Sequence, residues 1–144
     1  MIVYLTVDQA IKIHERMVEQ HGGLKGIRDL GLLTSAMEMP KSAYGGHELH
    51  PSLFDKAAAY LFHIVKNHPF FDGNKRTSTF VAVLFLRLNG ISITFDKEQF
   101  EILVIGTAQG IISKSQISHF FEESSAKIIR KKSKHLKRKQ SKSK

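Results

Sequence analysis

The chain has 144 residues with an apolar content of 42%, which suits one globular domain around a single hydrophobic core. Its net charge of +9 comes from the C-terminus, because residues 127–144 hold ten basic residues and no acidic one, while residues 1–126 are close to neutral. The absence of cysteine excludes disulfides and thiolate metal sites and fits the cytoplasm, and we expect neither a secretory signal nor a span of ~20 apolar residues across a membrane.

The first third of the chain predicts two short helices. Thr6 and Gln9 are spaced as a capping box, and apolar residues then recur at helical intervals until Gly22-Gly23 ends the helix. Asp29 is placed to cap a second helix, which stops near Pro40. The sequence therefore begins with a helix, a glycine-rich connection and another helix.

The middle of the chain predicts a loop followed by two buried helices. The loop spans residues 41–50, contains Gly45-Gly46 and has no helical periodicity, so it predicts either a plain loop or a short hairpin. Ser52 can cap a helix over residues 53–67 that is apolar nearly all round, which is typical of a central helix. A second very apolar helix is expected over residues 74–88.

The last part of the chain predicts shorter elements. Residues 91–94 suggest a short extended piece, and Asp96 can cap a helix over residues 100–108. A final helix is expected to start near Ser115. The predicted fold class is therefore all-α.

The charge pattern divides the chain into a domain over residues 1–126 and a basic tail over residues 127–144. The tail is expected to be disordered, since it is rich in Lys and Ser and poor in apolar residues. It has no aromatic residue to stack on bases, so it predicts either a solvated tail or weak, non-specific contact with RNA or ribosomes.

The connection between the two buried helices is unusually polar for its position. Burying such groups without partners costs several kcal/mol each, so a bound anion would explain their density. We call residues 68–76 the motif loop. The polar residues of this loop and of the position after it are His68, Asp72, Asn74, Lys75, Arg76 and Thr77.

The residue types of the motif loop suit a phosphate site. Gly73 allows a ligand to approach the backbone, and the following helix offers unpaired N–H groups and the positive end of its dipole. Arg76 can clamp phosphate oxygens, and Asn74 can donate from its amide. Asp72 can hold Mg²⁺ together with phosphate and water, and His68 can accept a proton from a hydroxyl. From the residues alone, an ordinary capped and solvated loop stays an alternative, since no Walker A sequence is present.

The sequence His68-Pro69-Phe70-Phe71-Asp72-Gly73-Asn74-Lys75-Arg76 resembles the Fic/Doc signature, His-x-Phe-x-Asp/Glu-Gly/Ala-Asn-Gly/Lys-Arg. The similarity extends to death-on-curing (Doc-type) toxins at Gly26-Ile27-Arg28-Asp29, Lys56-Ala57-Ala58 and Leu88-Asn89-Gly90, and covers roughly residues 4–125. The resemblance implies an all-α Fic/Doc-type domain that transfers part of a nucleotide, with ATP and Mg²⁺, to a protein hydroxyl.

The resemblance also implies a role for each motif position. His68 is expected to be the general base, Asp72 the Mg²⁺ ligand and Phe70 an anchor in the core. The residues expected to bind the nucleotide phosphates are Gly73, Asn74, Lys75 and Arg76. The loop before the central helix would be a flap that binds a target segment by strand pairing, through Tyr44, Gly45, Gly46 and His47, although an ordinary loop is the alternative.

Position 75 separates two activities within the resemblance. Lys75 resembles the Doc toxin, which implies a reversed nucleotide, transfer of the γ-phosphoryl group and a threonine of elongation factor Tu as target. Most members that transfer AMP have Gly at this position, yet Pro69 and Gly73 of this chain resemble those members. Three hypotheses for the function therefore remain. The protein is a protein kinase, a nucleotidyl transferase, or a non-catalytic protein that binds an anion and nucleic acid.

Regulation by another protein also follows from the resemblance. Some Fic proteins carry an inhibitory Ser/Thr-x-x-x-Glu-Gly/Asn motif, and no Glu of this chain precedes Gly or Asn. We therefore expect inhibition in trans by an antitoxin. Among the remaining histidines, His47 and His50 lack further ligands for zinc, His63 suits a core position, and His14 carries no functional signal.

Overall fold

In the computed structural model, which describes residues 1–125, the chain is mostly helical, as predicted. The elements are α1 (Val7–His21), α2 (Leu30–Glu38), a 3₁₀ turn (Met39–Lys41), β1 (Ala43–Tyr44), β2 (His47–Glu48), α3 (Leu53–Asn67), α4 (Asn74–Leu88) and α5 (Lys97–Ala108). Residues 114–125 form a further helix, α6. The predicted basic tail lies outside the described residues.

The predicted helix starts are confirmed by their caps. The side chain of Thr6 accepts the amide N–H of Gln9, and the Gln9 side chain bonds back to the Thr6 backbone, which completes a capping box. Asp29 and Asp96 cap α2 and α5 in the same way. These bonds satisfy helical N–H groups that have no intrahelical partner.

The centre of the fold is α3, which packs most extensively against α4 and also contacts α2 and α5. A run of its residues, Lys56 to Leu61, is completely buried. The prediction of a central helix is confirmed. The motif loop joins the C-terminus of α3 to the N-terminus of α4, so it is held between the two best-packed helices of the domain.

The segment before α3 is a β-hairpin with two residues in each strand and two in its turn. Ala43 pairs with Glu48 and Tyr44 with His47, in antiparallel register. Gly45 and Gly46 turn the chain with φ values of 57° and 80°, which is the requirement of a type I′ turn. We call residues 43–48 the hairpin.

Two further sequence predictions concern the ends of elements. Residues 91–94 belong to no helix and no paired strand, so an extended piece there stays a prediction. The second helix ends at Glu38, near Pro40 as predicted, and the chain then tightens into the 3₁₀ turn. Within residues 1–125, no helix has the length and apolar character needed to cross a membrane.

Candidate active site

The motif loop starts and ends in left-handed backbone. His68 caps α3 with φ 50° and ψ 55°, and among the described residues it is the one non-glycine residue with positive φ. Gly73 precedes α4 with φ 76°. A left-handed histidine is uncommon and costs about 1 kcal/mol or more, so neighbouring contacts must hold it in place.

Those contacts come from residues 22–29, between α1 and α2, which we call the bracing segment. Arg28 donates from Nε to the carbonyl oxygen of His68 (2.6 Å) and from Nη2 to that of Asn67 (2.9 Å). The amide N–H groups of Arg28 and Asp29 both donate to the carbonyl oxygen of Pro69 (2.7 and 3.0 Å). The exposed Arg28 thus satisfies carbonyls at the end of α3 and fixes the backbone of His68.

The middle of the motif loop is fixed in the core. Phe70 is fully buried and forms an isolated antiparallel bridge with Ile27. The side chain of Asn74 accepts the N–H of Phe70 (3.0 Å) and donates to its carbonyl oxygen (2.9 Å). Phe70 is thus held through its side chain and its backbone, and the anchoring role that the resemblance implies stays a prediction.

Asn74 differs from its expected role. Its side chain is 6% exposed and both of its polar atoms bond to Phe70, so the amide that was expected to donate to phosphate already has a partner. Asn74 is also the first residue of α4, where backbone N–H groups lack an intrahelical acceptor. A phosphate contact through the backbone of Asn74 remains a prediction.

Asp72 is exposed and its carboxylate is held by two backbone groups. Oδ2 accepts the N–H of Leu24 (3.2 Å) and Oδ1 accepts that of Gly73 (2.9 Å). These bonds, with that of Leu24 first, lower the pKa of Asp72 below its ordinary value, so the carboxylate is ionised at neutral pH. Gly23 permits this approach, because a Cβ there would lie 2.6 Å from Oδ2.

The exposed side chains of the motif loop surround one cavity of about 390 Å³ at the N-terminus of α4. His68 and Asp72 stand on its wall together with Lys75 and Arg76. Its apolar wall is formed by Val65, Phe71 and Ala108. A cavity with two cations, a carboxylate, an imidazole and a helix N-terminus can hold a polyphosphate and place a base beside it.

The residues present fit a magnesium ion that arrives with a nucleotide. Each oxygen of Asp72 accepts one N–H, and a carboxylate has about four lone-pair sites, so both oxygens keep capacity. Residues 1–125 contain no group of three or more His, Cys, Asp or Glu side chains placed for a metal. Mg²⁺ commonly uses one or two carboxylates, waters and phosphate oxygens, which this arrangement can supply.

The predicted flap residues are not part of this cavity. The hairpin contains Tyr44, Gly45, Gly46 and His47, all of them exposed, and none belongs to the cavity wall described here. The base of the hairpin is tied to α3 by the buried Lys56, which donates to the carbonyl oxygen of His50 and to Glu48. A target-binding role for the hairpin remains a prediction.

His50 and His63 form a separate cluster with Lys114. The Nζ atom of Lys114 lies 3.1 Å from Nε2 of each histidine. Burial first, and then the charge of Lys114, lower the pKa of His63 to about 4. Burial first, and then Lys114, also lower the pKa of His50, so both imidazoles are suited to accept a hydrogen bond from Lys114.

Three residues that shape the site are not predicted to contact it. The sequence predicts only a helix end at Gly23, and Arg28 enters only through the resemblance. His14 carries no functional signal in the sequence, yet it is 2% exposed and bonds to the motif loop. One signal was available for His14, because Ala10, His14 and Val18 repeat every four residues along the buried face of α1.

The chain is similar to known proteins. Residues 4–86 match the model of the Fic/DOC family. The protein kinase doc of Escherichia phage P1 is 32% identical over 115 residues, which cover 80% of this chain and 90% of that protein. Toxin Doc of Mycolicibacterium smegmatis (strain ATCC 700084 / mc(2)155) is 43% identical over 75 residues, which cover 52% of this chain and 58% of that toxin.

Proposed function

The chain belongs to the Fic/Doc family, and its relatives include a protein kinase doc and a Toxin Doc. We propose that it is a Doc-type toxin that phosphorylates a protein. It would transfer the γ-phosphoryl group of ATP to a serine or threonine hydroxyl. The observation that carries this proposal is the single cavity onto which His68, Asp72, Lys75 and Arg76 open. The name of the phage P1 relative, a protein kinase, supports phosphoryl over nucleotidyl transfer.

Each residue of the cavity has a task in such a transfer. The N-terminal N–H groups of α4 and the guanidinium of Arg76 would hold phosphate oxygens. Asp72 would hold Mg²⁺, which supplies positive charge that neutralises the phosphates. His68 would take the hydroxyl proton while the hydroxyl oxygen bonds to the γ-phosphorus. The bond from that phosphorus to the β–γ bridging oxygen breaks, and ADP leaves with the electron pair.

The bracing segment supports the proposed role of His68 as a base. Arg28 holds the backbone of His68, and the exposed ring of His68 lies on the cavity wall. General bases work when they are placed within hydrogen-bond reach of the proton that they accept, and a fixed backbone reduces the entropy of that placement.

Nucleotidyl transfer is a second candidate, and Pro69 and Gly73 favour it through their resemblance to members that transfer AMP. Incubation of the protein with γ-labelled and, separately, α-labelled ATP and a cell lysate distinguishes the two activities. Protein label from γ alone supports the kinase, and label from α supports nucleotidyl transfer. Label from neither, with retained binding of RNA, would support a non-catalytic binding protein.

Lys75 provides a sharper test of the same question. If its bulk sets the direction of the nucleotide, Lys75→Gly should increase the share of label transferred from α-labelled ATP, while Lys75→Met, which keeps the bulk and removes the charge, should retain γ transfer. If the charge matters instead, both variants should change product. An unchanged product in both variants would remove position 75 as the determinant.

The proposed target is a translation factor such as elongation factor Tu, and action on it would require a cytoplasmic location. The hairpin supports capture of an extended segment, because each of its two strands has only one neighbour among the described residues and so presents an outer edge. An antitoxin would inhibit in trans. Toxicity on expression of the chain alone, relieved by the neighbouring gene of its operon, is the expected result; no toxicity and no co-purified partner would contradict it.

A further inference from the structure

His14 lies in the middle of α1, outside the motif loop, and is almost completely buried. Its Nε2 atom lies 2.7 Å from the carbonyl oxygen of Asp72. A carbonyl oxygen can only accept, so Nε2 must carry the proton and donate. Its ring is stacked on that of Phe70, with centroids 3.8 Å apart and an angle of 5° between the planes. The stack fixes the ring orientation that aims Nε2 at Asp72.

The bond from His14 orients a whole peptide group. The carbonyl of Asp72 and the N–H of Gly73 belong to one trans peptide, so they point in opposite directions. With the carbonyl held toward α1 by His14, the N–H of Gly73 is turned to the other side, where it donates to Oδ1 of Asp72. One hydrogen bond in the core therefore sets the direction of a carboxylate on the surface.

The contact leaves little freedom for the loop to rotate. A Cβ added to Gly73 would lie 3.6 Å from Nε2 and Cδ2 of His14, which places the loop backbone directly against the ring. Phe70, on which the ring stacks, is itself fixed through both of its backbone polar atoms by Asn74. His14 is thus part of a rigid core layer rather than of a mobile surface.

We infer that His14 is a positioning residue that holds the peptide between Asp72 and Gly73, and through it the Asp72 carboxylate, in the orientation used for Mg²⁺ and nucleotide. The inference rests on the proposed function for the role of Asp72, whereas the hydrogen-bond relay itself is independent of any activity. His14 touches neither the nucleotide nor the acceptor hydroxyl, so it acts through Asp72.

Amide hydrogen exchange tests the relay in the full chain without nucleotide. His14→Phe keeps a flat ring on Phe70 and removes the donor, so exchange at Leu24 and Gly73 should accelerate about three- to tenfold, as expected for one lost hydrogen bond. Amides inside α3 and α4 should exchange as in the wild type. His14→Gln keeps an N–H donor and should restore slow exchange, and His119→Phe serves as the exposed control.

Equal exchange at Leu24 and Gly73 in wild type and His14→Phe would overturn the inference, as would an acceleration shared by all core amides. If His14→Phe does not fold, His14→Gln and His14→Met give the same comparison, since they are similar in size and differ in the donor. A second readout is the Mg²⁺ concentration that half-saturates binding of a fluorescent ATP analogue, expected to rise in His14→Phe and not in His14→Gln. If wild type does not bind ATP, the proposed function fails and the exchange result still stands.

Discussion

Two polar, glycine-containing turns lie at the two ends of α3, and they are built differently. The motif loop follows α3 and receives hydrogen bonds from the bracing segment and from His14 along its length. The hairpin precedes α3, and residues 43–48 are all exposed. Its contacts are its own strand pairs and the tie from Lys56 to Glu48.

The difference follows from what each turn is proposed to do. Transfer chemistry depends on groups that are already in place, because fixed dipoles and charges need no reorganisation during the reaction. Recognition of an extended segment instead needs an edge with N–H and C=O groups that are open to a partner. Long-range hydrogen bonds hold the motif loop, whereas residues 43–48 of the hairpin are exposed.

Substitution of one histidine in each turn should give the largest difference between the motif loop and the hairpin. His68→Ala should lower the rate of phosphoryl transfer by about 10²–10⁴-fold while ATP stays bound, because it removes the general base. His47→Ala should leave the single-turnover rate unchanged and raise the KM for the protein target. Equal losses in both variants would mean that the two turns do not divide catalysis and recognition, and full activity of His68→Ala would show that the assigned base is wrong.

A glycine in each region tests preorganisation. Gly23→Ala would place its Cβ 2.6 Å from Oδ2 of Asp72, so the carboxylate must move and the Mg²⁺ requirement for ATP binding should rise about tenfold or more. Gly45→Ala meets no atom within 4 Å and strains only its own turn, by about 1 kcal/mol. It should leave the Mg²⁺ requirement unchanged.

Titration of ATP binding with Mg²⁺ measures both glycine variants, and circular dichroism controls for folding. A Gly23→Ala protein that is folded and has the Mg²⁺ requirement of the wild type would show that the close approach of the bracing segment has no part in placing Asp72. A raised requirement in Gly45→Ala would connect the hairpin to the phosphate site.

Acid should lower the stability of the domain through the cluster of His50, His63 and Lys114 rather than through the motif loop, and we expect this effect to be small. His63 has its pKa lowered from 6.5 to about 4, so between these values the unfolded chain binds the proton more readily than the folded one. The free energy of unfolding should therefore fall as pH decreases from about 6.5 toward 4. The pKa of Asp72 is lowered below its ordinary value of 3.8 by hydrogen bonds from Leu24 and Gly73, so the midpoint of its titration lies below this window.

Urea unfolding at several pH values checks this prediction. His63→Gln removes the titrating group and keeps an oxygen that can accept from Lys114, so the fall of stability with acid should become shallower. His119→Gln changes an exposed histidine paired with Glu123 and should keep the slope of the wild type. An unchanged slope in His63→Gln would mean that other groups cause the acid sensitivity.

The helices could be predicted from the sequence because their signals are local. Thr6, Asp29, Ser52 and Asp96 each bond to the amide three residues later, as their spacing indicated. Gly45-Gly46 left a plain loop and a short hairpin both open, and the structure forms the hairpin, with positive φ at both glycines.

The residues of the candidate site could also be predicted from the sequence, but the directions of their side chains could not. His68, Asp72, Lys75 and Arg76 do face one cavity. The side chain of Asn74 turns inward instead, because the N–H and the carbonyl of Phe70 are buried and require hydrogen-bond partners. The spacing of residues in the sequence does not show which of these polar side chains form hydrogen bonds in the core.

The helices, their caps and the set of polar groups at the end of α3 could be predicted from the sequence, because all of these depend on neighbours within about four residues. The orientation of those polar groups depends on tertiary packing. His14 and Asp72 are separated by 58 residues, and Leu24 and Asp72 by 48. Their hydrogen bonds exist only after α1, the bracing segment and α4 have packed together, and they turn a polar loop into an oriented site.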